Sequence, residues 1–201
     1  MKLLLASNNV HKIREFRDMF RSVMNMDVYS LLDFPKYVAP EETGQTFEEN
    51  AVLKACHAAE HLNMLSFADD SGLVVPALNN RPGVKSRRYA SEDATDQENN
   101  NKLLEEMASF KEIQRNAYYE CVLAVANPQG IIKAVHGRCE GTIMHEPKGS
   151  AGFGYDSLFM KHDYDKTFGE LDESTKNRVS HRRKAFEKLA LILESLAHKN
   201  S

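Results

Sequence analysis

Tyr119, Cys121, Leu123 and Val125 fall on every second position, and the run stops at Asn127-Pro128-Gln129-Gly130. Period-two hydrophobicity marks a strand with a buried face, and a turn of that composition sends the chain back beside itself. Ile131 to Val135 is therefore expected as an antiparallel neighbour, with Arg138 to Ile143 as a third strand. A meander at mid-chain rules out an all-helical bundle and a wholly parallel sheet. Elsewhere the period changes. After a short apolar strand, Leu3 to Ala6, the residues Ile13, Phe16, Phe20 and Val23 recur at helical spacing. A second helix is expected from Thr46, capped by its hydroxyl with Glu49 reaching back, and burying Phe47, Ala51, Ala55, Ala58 and Leu62. Leu65 to Ala68 reads as a short strand that delivers Asp69-Asp70-Ser71-Gly72 at its end. Thr95 and Glu98 form another capping box before Leu103, Leu104 and Met107, and a last helix from near Ser180 buries Leu189, Ile192, Leu193 and Leu196. Together these give an α/β fold, a mixed central sheet flanked by helices, with a cleft between two lobes.

Composition narrows the partners. The 201 residues are 42% hydrophobic and 27% charged, which suits one soluble domain burying roughly 70% of its unfolded surface. A net charge of −3 argues against binding a nucleic-acid polymer, so any anionic ligand must meet a local basic pocket. No apolar run approaches the roughly 20 residues that span a membrane, and Met1 to Ala6 is too short for a signal peptide. Cys56, Cys121 and Cys139 are an odd, scattered set, as expected of a reduced, cytoplasmic protein.

Several segments carry candidate chemistry. Ser7, Asn9 and Lys12 lie where a strand enters a helix N-terminus, a place suited to phosphate. The plainer alternative makes Asn9 a helix cap and Lys12 a solvated cation. Glu41, Glu42, Glu49, Asp69 and Asp70 are acids of the kind Mg²⁺ uses beside substrate phosphates, with Lys54 one turn beyond Asn50 as a counter-charge. Ala151-Gly152-Phe153-Gly154-Tyr155-Asp156 sets aromatic rings among glycines, where a flat heteroaromatic ring can stack. Ser180-His181-Arg182 offers donors for that ring's polar edge. His57-Ala58-Ala59-Glu60-His61 matches the HxxEH form of an inverted zinc-peptidase motif, but no partner acid stands out downstream, and exposed helix histidines are the simpler reading.

These segments, with Glu41-Glu42-Thr43-Gly44, Glu49-Asn50-Ala51-x-x-Lys54-Ala55, Pro82-Gly83, Arg88-Tyr89 and Glu92-Asp93-Ala94-Thr95, resemble the inosine triphosphate pyrophosphatase family in order and over nearly the whole chain. The resemblance implies one catalytic domain over residues 1–201, acting as a homodimer, that uses Mg²⁺ to hydrolyse deaminated purine nucleoside triphosphates. It implies substrate contacts from Ser7, Asn8, Asn9, Val10, His11, Lys12, Lys54 and Ser71. Phe153, Gly154, Tyr155, Asp156, Lys176, His181 and Arg182 would take the base. Glu41 and Asp70 would bind metal, with Asp70 also the base for water. The sequence leaves open which of Glu41 and Glu42, and which of Asp69 and Asp70, touches the ion. Two departures stand out: Ser157 replaces the family's usual proline, and Arg87 replaces a usual alanine.

Overall fold

The computed structural model describes residues 2–24 and 27–199. Its elements run β1 (Leu3–Leu5), α1 (Val10–Met24), β2 (Tyr29–Ser30), α2 (Phe47–Leu62), β3 (Leu65–Val75), β4 (Arg81–Pro82), α3 (Asp96–Glu106), β5 (Asn116–Asn127), β6 (Gly130–Ile143), β7 (Phe159–Lys161), α4 (Glu173–Val179) and α5 (His181–Lys199). The strands make one mixed sheet in the order β2-β1-β3-β5-β6-β7, with β4 on β3 outside that path. β1 is parallel to β2 and β3, whereas β7 is antiparallel to β6. The two residues between β5 and β6 can only join antiparallel strands, so the expected hairpin forms.

The chain divides into two compact units. The first comprises Met1–Asp70, Cys121–Gly137 and Arg182–Ser201; the second comprises Ser71–Glu120 and Arg138–His181. In the first, Leu3 and Leu5 of β1, Phe67 of β3, and Cys121, Leu123 and Val125 of β5 fall on alternate positions and share one core. Phe16 and Phe20 of α1 and Phe186 and Leu189 of α5 close over it. Phe67 meets Phe16 and Phe20 with ring centroids 5.4 Å apart in each pair, and Phe20 meets Phe186 edge-on at 4.8 Å. The second unit has its own core around Leu73, Leu103, Met107, Tyr119, Phe159 and Phe168.

The local signals translate unevenly. Thr95 and Glu98 form the reciprocal capping box on α3. At α2 only half of the expected box forms. Thr46 accepts the Glu49 N–H, but the Glu49 carboxylate reaches past Thr46 to the Gln45 N–H at 2.7 Å. Val23 lies 44% exposed at the end of α1, and Met19 takes the inward place instead. Ile131–Val135 and Arg138–Ile143 are one 14-residue strand, because His136-Gly137 interrupts hydrophobicity without ending the extended backbone. β3 runs 11 residues, so the acidic pair lies within it and not at its end. The polar stretch ends the hydrophobic run, but Leu73, Val74 and Val75 resume it on the far side.

Phe67→Ala removes the ring on which α1 and the sheet meet. It should cost about 3–5 kcal/mol, read as a lower urea midpoint with an unchanged slope.

Candidate active site

Adjacent side chains on a strand point to opposite faces, so β3 sends Asp69 and Asp70 into different surroundings. Asp69 shares the face of Phe67 and meets the helices that cover it. Its side chain is fully buried and its carboxylate contacts the Lys12 ammonium of α1. The Cys121 thiol donates to it at 3.0 Å, and Arg182 Nε of α5 lies 3.7 Å away. Burial opposes the Asp69 charge, but Lys12 and Arg182 outweigh it and hold this carboxyl well below the usual carboxylate range. Burial, then the Asp69 charge, pushes the Cys121 thiol well above its ordinary value, so it remains an S–H donor.

Asp70 faces α2. Asn50 Nδ2 donates to it at 3.2 Å and Lys54 Nζ at 3.1 Å. Asn50 is fully buried, and its Oδ1 accepts the Gly44 N–H at 2.8 Å. An N–H on one side and a carboxylate on the other fix which way this amide points. A Cβ on Gly44 would collide with Asn50, so the glycine lets the acidic loop approach. Through that approach Glu42 Oε1 accepts from Lys54 Nζ at 2.7 Å, whereas Glu41 lies exposed. Of the two acids, Glu42 is the one brought to the Asp70 group. Burial raises the Asp70 pKa against the pull of Lys54 and Lys12, and Glu42 and Asp69 add to the rise. Burial opposes the Lys54 charge, yet Asp70 and Glu42 outweigh it and raise its pKa. The result is a confined, acid-rich group of oxygens around one ammonium.

The segment from Ser7 to Lys12 enters α1. Ser7 Oγ accepts the Asn9 N–H at 3.2 Å, and Asn9 Oδ1 accepts the N–H groups of His11 and Lys12 at 3.0 and 3.2 Å. Asn9 is therefore a helix cap, as the plainer reading had it, but Lys12 is engaged by Asp69 and not merely solvated. Asn8, Val10 and His11 are exposed. Arg182 donates to Glu15 at 2.9 Å, and each side chain is under 10% exposed. Sequence reasoning missed Glu15 and Cys121, and gave Asn50 no role beyond its place in a motif. Glu15 was detectable, since Lys12, Glu15 and Met19 form one helical stripe.

Ser71 opens the second unit, which also holds the glycine-aromatic turn. Asp156 Oδ2 accepts the Phe153 N–H at 2.9 Å and Lys176 Nζ at 2.6 Å, while the Tyr119 hydroxyl donates to Oδ1 at 3.4 Å. Gly152 has φ +78°, and a Cβ there would strike the Asp156 carboxylate, so this turn requires glycine. Lys176 lies 4.8 Å from the centre of the Phe153 ring, and His181 stacks on Tyr119 at 4.7 Å. The Tyr155 hydroxyl donates to the Ser86 carbonyl at 2.9 Å, and burial raises its pKa, keeping it neutral. Ser86 Oγ accepts the Leu73 N–H at 2.9 Å and occupies the space that a Cβ on Gly72 would need. Arg87 donates to the Ala94 carbonyl, closing the loop locally. The Ser157 carbonyl accepts the Lys148 N–H at 2.8 Å.

The HxxEH segment behaves otherwise. His57 and His61 stack on each other at 3.9 Å, with Nδ1 of each engaged by the Tyr37 hydroxyl and the His57 carbonyl respectively. Among the described residues, no group of three or more His, Cys, Asp or Glu side chains is arranged to hold a metal ion.

Known proteins resemble this chain throughout. Residues 3–192 match the model of the Ham1 family. A dITP/XTP pyrophosphatase from Protochlamydia amoebophila is 55% identical over 197 residues, 98% of this chain and 99% of that one. One from Chlamydia abortus is 50% identical over 200 residues, 99% and 97% of the two chains. The solved Ham1 protein of Staphylococcus aureus shares 39% identity at a TM-score of 0.86, covering 97% of this chain and 99% of that one. A HAM1 protein from Coxiella burnetii gives 39% and 0.87 with the same coverage.

Asp69→Asn keeps the shape but removes the anion that Lys12 and the buried Arg182 share. The loss should be about 3–5 kcal/mol by urea unfolding; a change within about 0.5 kcal/mol, as at an ordinary surface site, would contradict this account of Asp69.

Proposed function

The chain belongs to the Ham1 family and is a hydrolase of nucleoside triphosphate anhydrides, and from that premise we propose a Mg²⁺-dependent pyrophosphatase of ITP, dITP and XTP. It would clear deaminated purines from the nucleotide pool as a homodimer in the cytoplasm, with residues 1–201 acting as one catalytic domain. Three free cysteines agree with a reducing compartment, and no described helix is long and apolar enough to cross a membrane.

The observation that carries the reading is the convergence of Asn50, Lys54 and Glu42 with Asp70, while Asp69 is occupied by Lys12 and Arg182. A hard-oxygen donor pair with surplus negative charge fits Mg²⁺, which is held by few carboxylates together with substrate phosphate. Asp70 and Glu42 are the acids best supported as its protein ligands, and Glu41 less so. When bound, the ion supplies neutralisation of phosphate charge and of the departing pyrophosphate.

Asp70 accepts a proton from the water that attacks the α-phosphorus. A new P–O bond forms to that water, and the bond from the α-phosphorus to the bridging oxygen breaks, leaving monophosphate and pyrophosphate. Lys54 and Lys12, each held by an acid, are assigned to the triphosphate, along with Ser7, Asn8, Asn9, Val10 and His11 at the start of α1 and Ser71 beyond Asp70. Phe153 is assigned to stack on the base, held by Gly154, Tyr155 and Asp156. Lys176, His181 and Arg182 are donors for its edge. Hypoxanthine and xanthine carry a 6-keto acceptor that such donors satisfy, whereas the adenine amino group leaves them unpaired. Guanine shares the keto group, so its exclusion has to act at the 2-amino group.

Pyrophosphate release should be measured from ITP, XTP, GTP and ATP, with Mg²⁺ and with chelator. Release from ITP and XTP that disappears with chelator, and little from GTP or ATP, is expected. Equal turnover of ATP and ITP would refute base reading, and ITP binding without release would leave a nucleotide sensor. Asp70→Asn should lower kcat by about 10²–10⁴-fold while ITP still binds; near-normal turnover would assign the proton transfer elsewhere.

A further inference from the structure

The turn that carries Phe153 is gripped by α3. Gly154, at φ +64°, donates its N–H to Asp96 Oδ2 at 2.6 Å. Its carbonyl accepts from Asn100 Nδ2 at 3.1 Å. Asp96 and Asn100 are four residues apart and so lie on one face of the helix, with one side chain for each polar group of a single glycine. Just before it, Asp156 takes the Phe153 N–H. Both peptide N–H groups flanking the Phe153 side chain are thus tied to carboxylates.

The grip comes from an element that is itself firmly set. Asn99 holds the Ala90 N–H and the Arg87 carbonyl at 2.8 and 3.0 Å, Lys102 donates to the Tyr89 carbonyl at 2.7 Å, and Leu103 and Met107 are fully buried. Asn100 bears a cost in this place. It is 8% exposed, and its Oδ1 is buried without a hydrogen-bond partner among the described residues. The Gly154 carbonyl can only accept, so the amide cannot turn to relieve that oxygen. A residue serving only to fill space would carry no such unpaired acceptor. What the amide supplies in this place is the donor to the Gly154 carbonyl.

We infer that Asp96 and Asn100 are positioning residues for base recognition, clamping Gly154 so that the Phe153 ring is presented to a purine in one fixed pose. The inference rests on the function proposed above. Neither residue touches the reacting atoms, so the clamp should govern affinity for the base and leave the chemistry alone.

The test compares Asp96→Ala, Asn100→Leu and the conservative Asp96→Asn, each verified as folded by its thermal melt. KM and kcat are measured for ITP, and Ki for inorganic tripolyphosphate, which lacks a base. Asp96→Ala and Asn100→Leu should raise KM about tenfold, the scale of one weakened base–aromatic stack, with kcat and the tripolyphosphate Ki unchanged. Asp96→Asn, which keeps an acceptor oxygen, should recover most of the loss. In a Phe153→Ala background, Asn100→Leu should raise KM no further. Unchanged KM in the folded variants refutes the clamp, and so does a KM that rises together with the tripolyphosphate Ki. Wild-type protein that releases no pyrophosphate from any purine triphosphate overturns the functional reading and the clamp with it, whereas active wild type with unaffected variants overturns the clamp alone.

Discussion

Because side chains alternate along a strand, Asp69 and Asp70 take different hydrogen-bond partners, and the first unit is organised around what each meets. Asp69 turns towards α1 and α5, where it gathers Lys12, Arg182 and the Cys121 thiol. Asp70 turns towards α2, where Asn50 and Lys54 hold it. The first carboxylate is an internal counter-ion, charged and inaccessible. The second is confined yet electrostatically uneasy, with burial and two acids working against two lysines. Two chemically identical neighbours thus acquire separate roles from geometry alone, as environment rather than residue type sets carboxylate behaviour.

A similar logic fixes the glycine-aromatic turn of the second unit. Asp156 sits beneath Gly152 only because no Cβ intervenes, and from there it binds a backbone N–H, a lysine and a tyrosine. Lys176 is thereby held beside the Phe153 ring. Charge, hydrogen bond and ring position are set together, so a change at any one of these residues is felt at the others.

Much of this was legible in the sequence, for identifiable reasons. Alternation in β5, helical spacing in α1 and the Thr95–Glu98 box depend on neighbours along the chain, and they appear as expected apart from Val23, where Met19 turns inward instead. The strand carrying the acids was read too short because hydrophobicity stops at Asp69, whereas pairing continues when polar side chains find partners. Asn50 was visible in a motif, but its bridging of Gly44 and Asp70 depends on a loop that no periodicity describes. Residue types alone could not tell Asp69 from Asp70, and their different surroundings follow only from which helix covers which face. Arg182 was expected as a reader of bases, and its pairing with Glu15, 167 positions earlier in the chain, could not be anticipated.

The division of the chain has a consequence for descent. Each compact unit is assembled from separated stretches, and β3, β5 and β6 each begin in one unit and finish in the other. No single crossover in a gene could therefore donate, duplicate or discard one unit intact. Any cut that separates them falls within a strand at three places. A lineage carrying this architecture can vary its loops and its ends, but it must inherit the body as one indivisible piece.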